Sequence, residues 1–210
     1  MVEDGTSLLG AALDRARRVR DAVEKLDGID VMGREIVDQG LAFDLDPLAL
    51  TFDVSGLGIT GYTATEHARS AHRVNLGASD TVRISARLTH ADTDERVDRL
   101  IEVVTAPVAD APSLDPAPEV DFPSAHGLEL ETVMLPREAF FAEIETVPVA
   151  EAVGRIAAEL VSPYPPGVPV LAPGERITRE ALDYLRSARA AGVLLPDPAD
   201  KSLATLRVVA

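Results

Sequence analysis

Leu48-Ala49-Leu50-Thr51-Phe52-Asp53-Val54-Ser55-Gly56-Leu57-Gly58-Ile59-Thr60-Gly61 is the stretch on which the fold turns. Leu48, Leu50, Phe52 and Val54 alternate with Ala49, Thr51 and Asp53, the period-two pattern of a strand buried on one face. Gly56 to Gly61 then form a literal GxGxxG, and after a strand that pattern suggests a dinucleotide fold. Two features argue against it. A strand inside a doubly wound parallel sheet is buried on both faces and would not alternate. The second alternating strand, Val82, Ile84, Ala86 and Leu88 between Arg83, Ser85 and Arg87, ends in Thr89-His90, with no acidic residue to hold a ribose. The glycines therefore read as a tight turn into a helix, and the sheet as open to water or a partner on one side.

Around these strands lie helical stripes. Leu9, Leu13, Ala16, Val19, Val23 and Leu26 recur at threes and fours, predicting a first helix capped by Thr6 or Ser7 and ended near Gly28. Thr63 and Glu66 form a capping-box pattern for a helix through Ala71. Val97, Leu100, Ile101 and Val104 mark another helix, completing an αβαβα run over residues 1–107. Five prolines between Pro107 and Pro123, among small and acidic residues, predict an extended linker over 108–123. The second domain is then 124–210. In it Pro136 and Pro148 suit helix starts, and Val149, Val153, Ile156 and Leu160 predict a helix ending before Pro163. Thr178 caps a last helix carrying Leu182 and Leu185 that Gly192 closes, and Leu206 to Val209 reads as a strand. The fold class is α+β.

Among the 210 residues, 35 are acidic and 20 basic, for a formal net charge of −15, and no basic cluster is interleaved with aromatics, so a nucleic-acid partner is not expected. Nothing approaches the roughly 20 apolar residues of a bilayer span, and the amino terminus lacks the pattern of a signal peptide, so no membrane partner is expected. Cysteine is absent, which removes disulfides, thiol nucleophiles and thiolate metal sites. His67 and His72, five apart on one predicted helix, fall about 140° round from each other and are read as surface or rim residues without a shared metal. His90 and His126 have no partners at ligand spacing. No metal site is expected.

The segment Pro163-Tyr164-Pro165-Pro166-Gly167-Val168-Pro169-Val170-Leu171-Ala172-Pro173-Gly174-Glu175 has five prolines in its first eleven residues. Each proline fixes φ and removes a donor, so the segment is a preformed rigid loop. Physics alone leaves two uses open, a structural brace or the wall of a binding site.

This Tyr-Pro-Pro-Gly-Val-Pro run followed by Pro-Gly-Glu, together with Arg137-Glu138-Ala139-Phe140-Phe141 and Ala152-Val153-Gly154-Arg155-Ile156-Ala157-Ala158-Glu159, resembles the carboxyl-terminal domain of the Orn/Lys/Arg decarboxylases. Leu50-Thr51-Phe52-Asp53-Val54 with its glycines, and Leu88-Thr89-His90-Ala91-Asp92, are similar to the small domain of the same family. The resemblance implies an aminotransferase-type small domain over 1–107, with a partly open sheet, and a decarboxylase carboxyl-terminal α+β domain over 124–210. It also implies pyridoxal phosphate as cofactor of the whole enzyme, bound through a lysine in a Ser-x-His-Lys-like motif. The sequence has two lysines, Lys25 and Lys201, and neither follows a histidine. The family's Thr-Ser-Pro stretch has no match here, because Thr6-Ser7 precedes Leu8. This chain alone is thus expected to bind no cofactor, to be inactive, and to be an engineered or proteolytic fragment or one piece of a split gene.

The partners so implied are the cofactor domain of the same protein, a basic amino-acid substrate and a second copy in a homodimer, in a cytoplasmic enzyme of polyamine biosynthesis. By the resemblance, Glu175 would meet the distal cation of the substrate, with Tyr164, Pro166 and Gly167 shaping the wall. Alternatively Glu175 merely stabilises the helix that Thr178 caps. Two alternatives to an enzyme part stand beside this reading: a non-catalytic regulatory or interaction module of the same fold, and an amino-acid sensor.

Overall fold

The computed structural model describes residues 3–164 and 167–210, so Pro166 lies outside the described residues. The chain divides into two compact units, Met1–Ala117 and Pro118–Ala210.

In the first unit, helix α1 (Gly5–Val23) leads to strand β1 (Asp30–Val31), the single turn α2 (Glu35–Asp38), strand β2 (Ala49–Asp53), helix α3 (Gly61–His72), strand β3 (Arg83–Arg87) and helix α4 (Asp94–Asp110). The strands form one antiparallel sheet in the order β1-β2-β3, with Phe52 opposite Ile84. Antiparallel pairing is incompatible with a doubly wound nucleotide fold, and the fold class is α+β. Leu50 and Phe52 are fully buried while Ala49, Thr51 and Asp53 are half-buried, so the alternation in the sequence does select the core face. Against that face pack Ala16, Val19 and Val23 of α1, Ala64 of α3, and Val97 and Val104 of α4.

The GxGxxG turn is a packing device. A Cβ on Gly61 would lie 2.0 Å from the carbonyl oxygen of Arg83, so only glycine lets α3 start directly against β3. The helix is capped one turn earlier than the Thr63-Glu66 pattern suggests. Thr60 Oγ1 accepts the Thr63 N–H at 3.0 Å, which makes Thr63 the third helical residue and not the cap.

Three other expectations for this unit are corrected. α1 follows Asp4 with no side-chain cap, so neither Thr6 nor Ser7 serves, and the helix stops at Val23, leaving Leu26 in the turn that precedes Gly28. Leu9 and Leu13 are exposed: α4 begins beside Arg15 and Arg18, which bind Asp94 and Asp98, and the first turns of α1 extend beyond it. The expected linker at 108–123 is partly helical, since α4 runs through Pro107 to Asp110 and a 3-10 turn follows over Ala111–Ser113. Pro107 lies buried within the last turn of the helix, three residues before its end.

In the second unit, helix α5 (Pro136–Phe141) precedes strand β4 (Ile144–Pro148), helix α6 (Arg179–Ala190) follows the proline-rich segment, and strand β5 (Thr205–Val209) pairs antiparallel with β4. The helix predicted over Val149, Val153, Ile156 and Leu160 is absent. A 3-10 turn at Val149–Glu151 ends at Ala152, Gly154 then turns the chain at φ +83°, and it runs on extended. Its backbone finds partners from other segments: Ile156 bridges Arg176, Ala157 bridges Val208, and Val161 bridges Leu171. The core gathers Val147, Ala157, Val161, Leu171, Ile177, Leu182, Leu185, Leu206 and Val208.

Thr178 caps α6 as the sequence predicts, its Oγ1 accepting the Ala181 N–H at 3.2 Å. Thr178→Ala should lower the stability of this unit by about 1 kcal/mol, and Thr178→Ser should restore most of it. Urea unfolding of the three proteins measures both.

Candidate functional site

The end of the proline-rich segment, from Leu171 on, is the second arm of a hairpin. Residues 155–161 and 171–177 run antiparallel, joined by Ile177 N–H to Arg155 O (2.9 Å), Ala157 N–H to Glu175 O (2.8 Å), Gly174 N–H to Ala157 O (2.8 Å) and Val161 N–H to Leu171 O (2.9 Å). These bonds tie the chain together on either side of the stretch between the arms. Glu159, in the motif before the loop, braces it from outside: one carboxylate oxygen accepts the N–H of Ala199 and the other that of Arg207, both at 2.7 Å.

Glu175 stands on the second arm, at a sharp turn. Gly174 has φ +93°, and a Cβ there would come within 2.3 Å of the Met134 carbonyl oxygen. On its other side the turn binds the segment before α5, with Val133 N–H donating to Gly174 O at 2.8 Å and Arg176 N–H to Glu131 O at 2.9 Å. The Glu175 carboxylate folds back so that Oε2 accepts the Ala172 N–H at 2.8 Å, while Glu175 N–H donates to Ala172 O at 3.1 Å. The side chain thus closes its own turn rather than capping α6, which Thr178 does. It is half-buried, and among the described residues Oε1 has no recorded hydrogen-bond partner.

Tyr164 and Gly167, expected to shape a binding wall, sit between the two arms. Tyr164 is 52% exposed, and its backbone pairs with Leu194, the N–H donating to Leu194 O at 2.9 Å. Gly167 turns the chain at φ +90°, its N–H donating to Pro163 O at 2.9 Å. The hairpin base between Val161 and Leu171 separates these two residues from Glu175 along the arms. No recorded hydrogen bond joins either of them to Glu175 among the described residues.

Beside the Tyr164 pairing opens a groove of about 650 Å3 whose lining includes Arg189, Leu194, Leu195 and Lys201. Arg189 Nε donates to the Lys201 carbonyl at 3.0 Å. The sequence carried no sign of this groove: its basic residues lie at the end of α6 and in a later turn, and nothing in their spacing predicts that they meet. Next to it Asp200 accepts from the N–H and hydroxyl groups of both Ser202 and Thr205, and those hydrogen bonds, Ser202 first, hold its carboxyl far below the usual range. That tie sets the turn into β5.

In the first unit, His67 and His72 come together in spite of their five-residue spacing. Their rings meet edge to face with centroids 5.4 Å apart, and His67 Nε2 lies 3.0 Å from Asp110 Oδ2. Angular separation on a helix treats each side chain as a radius, whereas both imidazoles lean onto α4, which the sequence could not show.

Residues 124–197 match the family described as Orn/Lys/Arg decarboxylase, C-terminal domain. Over its whole length the chain is 35% identical to the arginine decarboxylase of Halalkalibacterium halodurans and 34% identical to that of Bacillus subtilis, spanning 42% of each. Over 66 residues, 28% of the chain, it is 50% identical to the lysine decarboxylase LdcA of Pseudomonas aeruginosa, spanning 9% of it. The solved structures of the Escherichia coli constitutive lysine decarboxylase (TM-score 0.65) and of lysine decarboxylase A from Pseudomonas aeruginosa (TM-score 0.66) share the fold. Each is 18% identical to the chain, covers 98% of it and is itself covered to 41% and 40%. No helix among the described residues is long and apolar enough to cross a membrane. Residues 124–197 thus match the Orn/Lys/Arg decarboxylase carboxyl-terminal domain, and the whole chain is similar to arginine decarboxylases, of whose length it spans about two-fifths.

Proposed function

We propose that the chain completes the substrate pocket of a pyridoxal-phosphate-dependent decarboxylase that removes the α-carboxylate of a basic amino acid, arginine before lysine or ornithine. Residues 1–107 would serve as the small domain and 124–210 as the carboxyl-terminal domain. The observation that carries the reading is Glu175: a half-buried carboxylate beside a closely packed glycine turn, with one oxygen accepting the Ala172 N–H, so that the other would be available to a ligand. A guanidinium or ammonium taken out of water needs such a partner, and a turn already closed costs no further ordering when the substrate arrives. Tyr164 and Gly167, with Pro166, would shape the approach. The preference for arginine rests on the relatives that align with the whole chain, which are arginine decarboxylases.

The residues present do not fit the cofactor itself. An imine to pyridoxal phosphate needs a lysine shielded from water, and Lys25 and Lys201 are both exposed. The cofactor would be held by another domain of the same enzyme, and the chain's own contribution is charge recognition and shape. A homodimer in the cytoplasm, making the amine precursors of polyamines, is the setting proposed for the whole enzyme.

Release of CO2 from L-arginine, L-lysine and L-ornithine by the protein joined to its cofactor domain tests this. Arginine should be consumed fastest, and this chain alone, mixed with pyridoxal phosphate and reduced with borohydride, should carry no stoichiometric label. Release from none of the three would leave the chain a non-catalytic module. A stoichiometric label on Lys25 or Lys201 would overturn the assignment of the cofactor to another domain.

A further inference from the structure

The cluster at the end of α3 has no place in that reading. His67 and His72 lie on α3, and Asp110 is the last residue of α4. One ligand-capable atom from each of the three lies within 4.8 Å of the others. Both imidazoles are largely covered, at 14% and 18% exposure, while Asp110 is half-exposed. Glu102, two turns earlier on α4, places Oε1 3.7 Å from His72 Nδ1 and 2.7 Å from Arg99 Nη1, and Arg99 Nη2 also donates to the His72 carbonyl at 2.6 Å.

We propose that His67, His72 and Asp110 bind a divalent transition-metal ion, Zn2+ fitting best, and that the ion staples α3 to the end of α4. Two imidazoles and a carboxylate are a donor set for zinc and its neighbours, and do not suit Mg2+ or Ca2+, which take oxygen ligands. Zinc–ligand bonds of about 2.0–2.1 Å put two ligand atoms of a tetrahedral ion about 3.3 Å apart. His67 and Asp110 already stand at 3.0 Å. Bringing the third atom in from 4.8 Å asks for a movement of roughly 1.5 Å, within reach of a small side-chain rotation. Glu102 Oε1, 3.7 Å from Nδ1 of His72, would take the outer position once the ring moves in, with Nε2 as the ligand, the arrangement that orients metal-bound imidazoles elsewhere. A simple hydrogen bond between α3 and α4 would need only His67 and Asp110. The second imidazole within reach of both is what a chelate requires. The fourth position would be filled by water.

Calorimetric titration of the chain, carrying no polyhistidine tag, with ZnCl2 and absorption titration with CoCl2 test the site. One ion per chain should bind, with Co2+ developing visible bands of a low-coordinate nitrogen–oxygen site. His67→Gln and His72→Gln, each able to keep a hydrogen bond in place, should weaken Zn2+ binding by roughly tenfold or more. His90→Gln and His126→Gln should leave it unchanged. Absence of a saturable site, or unchanged affinity in both of the first two variants, overturns the proposal. Should those variants fail to fold, the unaltered chain decides by NMR. Co2+ should broaden the imidazole signals of two of its four histidines, and broadening of none or of all four overturns it.

Discussion

Gly174→Ala is expected to destabilise the second unit by about 2–5 kcal/mol, because two separate penalties fall on one methyl group. A side chain at positive φ costs about 1–2 kcal/mol. Overpacking costs about 1–3 kcal/mol, and here the new Cβ would stand 2.3 Å from the Met134 carbonyl oxygen and 3.1 Å from its carbon, backbone atoms that cannot rotate aside. The strain must be relieved by opening the turn, which loosens the bonds from Val133 to Gly174 and from Gly174 to Ala157. Gly154→Ala is the matched control. Gly154 also has a positive φ, +83°, but nothing lies within 4 Å of where its Cβ would be, so only the conformational penalty applies. Urea unfolding should separate the two variants clearly, and equal losses would show that close packing of the turn is not what holds it.

Glu175→Gln in the complete enzyme is expected to lower kcat/KM by about 2–4 kcal/mol, roughly thirtyfold to a thousandfold. Glutamine suits the test because its carbonyl oxygen can still accept the Ala172 N–H, so the turn survives and only the charge is lost. The loss should fall on substrates with a cationic tail and spare an apolar analogue of similar length, since only the former leaves a buried cation unpaired. Glu180→Gln, exposed in the first turn of α6, should have almost no effect. Equal losses for charged and apolar substrates, or a melting temperature that falls in step with activity, would make Glu175 a purely structural residue of its turn.

What could be read from residues alone was whatever depends on neighbours in the chain. Alternation at 48–54 and 82–88 locates β2 and β3, because a strand with one buried face must alternate. Thr178 announces α6, because an N-cap acts within three residues. Pro136 begins α5 for the same local reason. The proline run and its Pro-Gly-Glu ending were visible as a rigid segment, since proline fixes its own φ wherever it stands. The resemblance to the decarboxylases rested on those same strings.

What escaped the reading depends on partners distant in sequence. Val149, Val153, Ile156 and Leu160 have helical spacing, yet this stretch pairs with residues 171–176 and with β5, because buried backbone takes whichever hydrogen-bond partners the tertiary fold supplies. β1 is two residues long and exists only because β2 offers an edge. The exposed Leu9 and Leu13 follow from where α4 starts, which no property of α1 specifies. The same distinction runs through the sites. The sequence by itself determined that Glu175 sits on a rigid base. Only the tertiary structure decided that its carboxylate closes its own turn, and that α4 draws His67, His72 and Asp110 together, because helical spacing fixes where a side chain leaves the backbone and not what the neighbouring helix brings to meet it.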